Sequence, residues 1–234
     1  MKFSIILPTW NNLGYLKVCL DSIKKNSKYE HDINVHVNDG SDGTVEYLSS
    51  NGIKFNHSVE NMGLCKGANS AATLAETDYI IYTHDDMYFL PNWDFFLNEE
   101  IKKLKTNLYY ISGTMMGPKG CGFLEFNCGT TFNDFDEAKL LKNFHNFNYF
   151  DHQGTHWAPH LIHKTIWDRV GGFSKEFDPG FASDTDLNMK LWKAGVRIFK
   201  GLNNFKVYHF GSVSLRKKKE LIRNKGNRSF LRKW

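Results

Sequence analysis

Two adjacent carboxylates, Asp85 and Asp86, end an otherwise apolar run, Tyr79-Ile80-Ile81-Tyr82-Thr83-His84. The run reads as a buried strand. A charge held in an apolar interior without a partner costs several kcal/mol, so the pair is expected at the strand's exit. Ligands of α/β sheets bind beyond the carboxyl ends of the strands. The chemistry that fits is a divalent-cation site, and the competing reading is an acidic strand-to-loop turn.

The elements around this stretch alternate. Phe3 to Leu7 make a first strand stopped by Pro8, and Asn11 or Asn12 can cap a helix with Leu16, Cys19, Leu20 and Ile23 on one face. Ile33 to Val37 make a second strand, which enters the turn-rich loop Asn38-Asp39-Gly40-Ser41-Asp42-Gly43-Thr44. A helix from Thr44, a short strand at Ile53 to Phe55 and a small-residue helix carrying Ala68, Ala71, Ala72 and Ala75 precede the acidic strand. Strand–helix alternation over this half predicts a doubly wound, mainly parallel sheet.

Pro91-Asn92-Trp93 opens a helix to about Lys105, Tyr110 to Gly113 resembles a strand, and Asp136 to Phe144 a short helix. Ser183-Asp184-Thr185-Asp186 precedes a helix with Leu187, Leu191 and Trp192 on its apolar face. Val196–Phe199 and Phe205–His209 read as two last strands. No linker or internal repeat divides the chain, so residues 1–213 read as one domain followed by a basic tail, 214–234.

Composition narrows the class. The 234 residues suffice for a substantial core. No apolar run approaches the roughly 18 to 20 residues of a membrane span, and the N-terminus lacks the pattern of a secretory signal. Cys19, Cys65, Cys121 and Cys128 have no zinc spacing and fit reduced thiols in a cytoplasmic protein, with a Cys121–Cys128 disulfide the minor alternative. The net charge of +5 divides into +8 from Ser214 onward and −3 before it. A basic tail on an acidic body argues against a nucleic-acid groove.

Taken in order, Ile5-Ile6-Leu7-Pro8-Thr9-Trp10-Asn11, the Asn38–Thr44 loop, Asn61-Met62-Gly63 through Asn69, and His84-Asp85-Asp86 resemble family-2 glycosyltransferases of GT-A fold. Gly171-Gly172-Phe173, Ser183 to Leu187 and His209-Phe210-Gly211-Ser212 continue the match. The resemblance implies a single GT-A domain, α/β with a Rossmann-like, mixed, mainly parallel sheet flanked by helices. It implies a nucleotide-binding half at 1–105 and an acceptor and catalytic half at 106–213. The implied reaction is inverting transfer of a sugar from a nucleoside-diphosphate sugar to a hydroxyl acceptor such as a glycan, polysaccharide or lipid-linked sugar.

The resemblance also assigns roles. Asp86 takes the last position of the family's DxD motif, and with His209 it would hold a divalent cation, Mn²⁺ or Mg²⁺. Asp85 would face the donor. His84 stands where the family has the first acid, and it reads here as a strand-end histidine bonded to backbone rather than as a ligand. Asp184 maps to the general base, with Ser183 replacing the family's preceding Glu; the alternative is a helix cap, whose charged carboxylate would be a weaker base. Pro8, Thr9 and Trp10 would lie beside the nucleotide, with Asn38 or Asp39 at the base. Ala68 stands in place of a nucleotide-contacting Arg, leaving Lys66 as the nearest cation, so the donor is a UDP-sugar first and a GDP- or dTDP-sugar second. His156 and Trp157 are acceptor-side candidates, with a core aromatic as the other reading of Trp157.

Two other classes compete. A nucleotidyltransferase lacks support because no Gly-rich, Arg- and Lys-bearing loop follows the first strand, whereas a catalytically degenerate carbohydrate- or nucleotide-binding relative accommodates His84 and Ser183. The tail reads as a solvated, partly disordered end, or as a helix in peripheral contact with anionic lipid at the cytoplasmic membrane face.

Overall fold

The computed structural model describes residues 1–119, 123–154, 157–211 and 219–234, with side chains of the last span described from 225 onward. The first half runs β1 (Ser4–Trp10), α1 (Leu13–Asn26), β2 (Asp32–Asn38), α2 (Thr44–Ser50), β3 (Lys54–Ser58), α3 (Leu64–Ala72) and β4 (Tyr79–Tyr82). The second runs β5 (Met87–Phe89), α4 (Trp93–Lys103), β6 (Tyr109–Gly117), β7 (Leu124–Glu125), α5 (Glu137–Asn143), β8 (His152–Gln153), β9 (His160–His163), α6 (Lys164–Val170), α7 (Ser183–Lys193), β10 (Ile198–His209) and α8 (Lys219–Lys233).

One sheet holds these strands in the order β3-β2-β1-β4-β9-β6-β10-β5, with β7 beside β6 and β8 beside β10. The four strands of the first half are mutually parallel. Strand β9 enters antiparallel between β4 and β6, so the sheet is mixed. The apolar runs of β1 and β4 are buried because helices cover both faces. The small residues of α3 permit close packing on β1 and β2; a Cβ at Gly67 would already lie 3.0 Å from Pro8 and from the His36 ring.

Several elements differ from expectation. The two last strands are one, β10, whose pairing with β6 slips between Leu202 and Lys206, so an irregularity bridges the apparent break. Trp192 is half exposed and carries the Arg197 guanidinium 4.0 Å above its ring, whereas Leu187 and Leu191 are buried. The chain end is not a free solvated tail, since α8 meets α7 through Lys233 and Trp234 and packs Phe230 against the main core.

Helix α1 brackets the acidic turn. At its start the Asn12 side chain reaches Asp85, and in its middle Cys19 Sγ contacts the His84 carbonyl at 3.6 Å. Further on, Ser22 Oγ accepts from Phe89 N (2.9 Å), and Asn26 donates to Phe89 O at 2.7 Å. The whole segment from His84 to Phe89 is thus fixed against one helix.

Candidate active site

Pairing registers decide which residues meet at the carboxyl end of the sheet. Ile6 lies beside Tyr82, and Trp10 beside Asn38, so the β1, β2 and β4 exits share one edge. Strand β5 pairs antiparallel with β10, setting His209 opposite Met87, the residue after Asp86. Phe210 N then donates to Asp86 O at 3.1 Å. Residues more than a hundred positions apart become neighbours through this short strand.

The two carboxylates have different surroundings. Asp85 accepts from Thr9 Oγ1 at 2.7 Å and Asn12 Nδ2 at 3.0 Å. Burial, and then the adjacent Asp86 charge, push its pKa up, with the two hydrogen bonds opposing. Asp86 faces imidazoles instead: His209 Nε2 lies 3.4 Å from Oδ2, and His84 Nδ1 4.0 Å from Oδ1. One ligating atom from each of His84, Asp86 and His209 falls within 4.8 Å of the other two.

This donor set fits a divalent cation. Burial, outweighing the attraction of Asp86, lowers the His84 pKa to about 4, so the ring is neutral and keeps a lone pair for a metal. Two imidazoles and a carboxylate suit Mn²⁺ at least as well as Mg²⁺. His84 was expected to bond to backbone; its ring faces Asp86 instead, because the turn after β4 carries it toward β10.

Asp184 lies in the first turn of α7. The cap position belongs to Ala182, in the left-handed region at φ 67°, and Ser183 Oγ bonds back to Gly180 O. Neither Ser183 nor Asp184 caps the helix by its side chain. Asp184 Oδ1 is buried without a hydrogen-bond partner, and burial pushes its pKa up to about 7. The charge-stabilising cap that would have weakened it as a base is absent from the described contacts. Tyr82 links the two regions: its buried hydroxyl feels the charge of Asp184 and of the Asp85–Asp86 pair.

Tyr82, Tyr110 and His160 form a buried polar row on the sheet under Asp184. The His160 ring stands 5.1 Å from Tyr82 and 4.7 Å from Tyr110, and neither hydroxyl nor either imidazole nitrogen has a partner. Sequence reasoning passed over this row because a tyrosine in a strand reads as core.

The loops at the nucleotide end are tied together. Asn38 Oδ1 accepts from Met62 N at 2.9 Å, whereas the Asp39 carboxylate accepts from Asn11 Nδ2 at 2.8 Å. Leu13 N donates to Asp42 at 2.8 Å. Pro8 and Thr9 are buried and Trp10 is half exposed. Lys66 is exposed in the first turn of α3, beside Asp178, which accepts from Cys65 N at 2.6 Å. Trp157 is half exposed, its ring edge-on to Phe123 at 6.4 Å, so it is not a core aromatic. His156 lies outside the described residues.

Comparison with known proteins decides the family. The model of Glycosyl transferase family 2 matches residues 4–158. The chain belongs to this family. Hyaluronan synthase of Pasteurella multocida is 26% identical over 227 residues, which is 92% of this chain and 21% of that protein. Chondroitin synthase of P. multocida strain Pm70 is 25% identical over 91% of this chain and 21% of its own. The chain thus spans about a fifth of the length of these relatives. The fold resembles S. aureus TarS 1–349 at TM-score 0.69 and 17% identity, covering 99% of this chain and 72% of that one. It also resembles GalNAc-T7 crystallised with UDP, GalNAc and Mn²⁺, at TM-score 0.67 and 15% identity, over 89% of this chain and 44% of the other. These neighbours are GT-A glycosyltransferases, and this chain shares their GT-A fold.

A cation held by His84, Asp86 and His209 would be detectable in solution. Mn²⁺ titration should find one site, Asp86→Ala should abolish it, and His84→Ala should weaken it by roughly tenfold or more, since even outer-shell partners cost that much. Unchanged affinity in His84→Ala would remove His84 from the ligand set.

Proposed function

We propose that this family-2 member is a metal-dependent, inverting glycosyltransferase, moving a sugar from a nucleoside-diphosphate sugar to a hydroxyl of a glycan, polysaccharide or lipid-linked acceptor. A UDP-sugar is the first choice of donor, with GDP- and dTDP-sugars as alternatives. The observation that carries this reading is the buried, unpartnered Oδ1 of Asp184, whose carboxyl burial pushes up to about 7, across Tyr82 from the His84–Asp86–His209 cluster. The ligands of the structural neighbours support it: TarS has been crystallised with UDP and with UDP-GlcNAc, and GalNAc-T7 with UDP and Mn²⁺.

A divalent cation, when bound, supplies Lewis-acid stabilisation of the charge on the departing diphosphate. His84, Asp86 and His209 would hold it, and Asp85 would stand on the donor side, its position fixed by Thr9 and Asn12. Pro8, Trp10 and either Asn38 or Asp39 would contact the nucleoside, with Lys66 the nearest cation. Asp184 takes the acceptor's hydroxyl proton as that oxygen bonds to the anomeric carbon. The bond from that carbon to the diphosphate breaks on the opposite face, the electron pair leaves with the diphosphate, and the configuration inverts. Trp157, with His156, would offer a face to the acceptor sugar.

The base assignment fixes a pH profile. Transfer should rise with pH through about 7 as Asp184 ionises. Asp184→Asn should cut kcat by roughly 10²–10⁴-fold with UDP binding intact, the usual worth of a general base. The same substitution should stabilise the fold above pH 7. A carboxyl whose folded pKa is raised contributes its full stability below its unfolded pKa and loses it as pH rises toward the folded value. Transfer at the wild-type rate by Asp184→Asn would remove it as base.

Lys225, Arg228 and Arg232 are exposed along one side of α8, which supports a peripheral contact with anionic lipid. No helix among the described residues is long and apolar enough to cross a membrane. At low salt, vesicles containing anionic lipid should sediment the protein and neutral vesicles should not; equal recovery with both would exclude the contact.

A further inference from the structure

Helix α8 lies behind the segment that carries Asp184. Its inward positions, Gly226, Phe230 and Lys233, fall at i, i+4 and i+7. A Cβ on Gly226 would come 2.4 Å from Phe181 O, so the helix backbone rests against the loop just before α7. Phe230 packs against the main core. At the end of the helix, Lys233 Nζ stands 2.9 Å from Asp186 Oδ1, 2.7 Å from Glu176 Oε1 and 3.0 Å from Ser174 Oγ. Trp234 Nε1 donates to the same Asp186 oxygen at 2.9 Å, and Lys193 Nζ sits 4.4 Å over the Trp234 ring.

Asp186 is fully buried, and a buried carboxylate must be paired to stay charged. It sits two residues from Asp184 in one helical turn, and at 3.6 residues per turn the two side chains project to nearly opposite sides. One faces the cleft and the other faces α8. In the first turn of α7, Ser183 bonds back to Gly180 O and Thr185 to Ala182 O, while Lys190 further along reaches Gly172 O. Asp184 has no side-chain anchor on its buried Oδ1. The strained Ala182 cap does not supply one either.

We infer that Lys233 and Trp234 are positioning residues for sugar transfer, clasping Asp186 so that the first turn of α7 aims Asp184 at the acceptor hydroxyl. The inference rests on Asp184 acting as the base. The clasp gives the C-terminal helix a part in the reaction although neither residue reaches the cleft. It also accounts for a lysine and a tryptophan converging on a single buried carboxylate oxygen.

The test uses the full chain with Lys233→Met, Lys233→Arg and Trp234→Phe, the last the mildest because it keeps an aromatic ring. The Asp184 carboxyl is titrated by ¹³C NMR, and UDP release is measured with Mn²⁺ and whichever of UDP-glucose, UDP-GlcNAc and UDP-GalNAc the wild type hydrolyses fastest. In folded Lys233→Met and Trp234→Phe the Asp184 midpoint should fall toward that of an ordinary carboxyl as the turn loosens and water reaches it. Turnover should drop several-fold with donor KM unchanged, and Lys233→Arg should retain more turnover than Lys233→Met. An Asp184 titration identical to wild type in the folded variants would overturn the clasp. So would turnover that falls only in proportion to the folded fraction. Asp184→Asn separates the two ideas: if it turns over at the wild-type rate, the base assignment fails, whereas an inactive Asp184→Asn beside unaltered clasp variants defeats the clasp alone.

Discussion

Two carboxylates side by side in a nearly water-free strand end repel each other, and neither can be charged cheaply. Much of the architecture around β4 answers that constraint. Asp85 is given two neutral donors, Thr9 from β1 and Asn12 from the start of α1. Asp86 is turned toward two imidazoles, His84 from its own turn and His209 from the end of β10. The price is carried by α1, which leaves its own cap position unbonded by side chain so that Asn12 can reach across to Asp85. A cation in the His84–Asp86–His209 cluster would relieve the remaining repulsion.

Asp184 presents the opposite case, a carboxyl left without compensation. Desolvation alone raises its pKa, with no ion pair or hydrogen bond to offset it. Such a group lowers native stability at neutral pH, and it persists only if the surrounding structure over-determines its place. The support comes from behind: Lys190 reaches Gly172 O at 2.6 Å, and α8 grips Asp186.

The strand leading into Asp85 and Asp86 was legible in the sequence because an apolar run ending in acids admits few placements. Alternation likewise revealed the parallel half, and the spacing of Leu187 and Leu191 revealed α7. What escaped depended on pairing between distant segments. Strand β5 has three residues, too few for any periodicity, yet it sets His209 beside Asp86. His84 looked like an ordinary strand-end histidine because nothing local says which way the turn carries its ring. The basic tail looked solvated because charge counts do not reveal that Lys233 meets a buried acid. Asn12 had the right type for a cap, and only the fold shows its side chain spent on Asp85.

If Asp86 joins metal binding to nucleotide binding as proposed, thermal unfolding measures that coupling directly. A ligand that binds only the native state raises the midpoint. UDP should raise it with Mn²⁺ present and barely without it, and Asp86→Ala should remove the metal-dependent part while leaving the fold intact. Equal stabilisation by UDP with and without Mn²⁺, or none by UDP, GDP or dTDP under either condition, would contradict it.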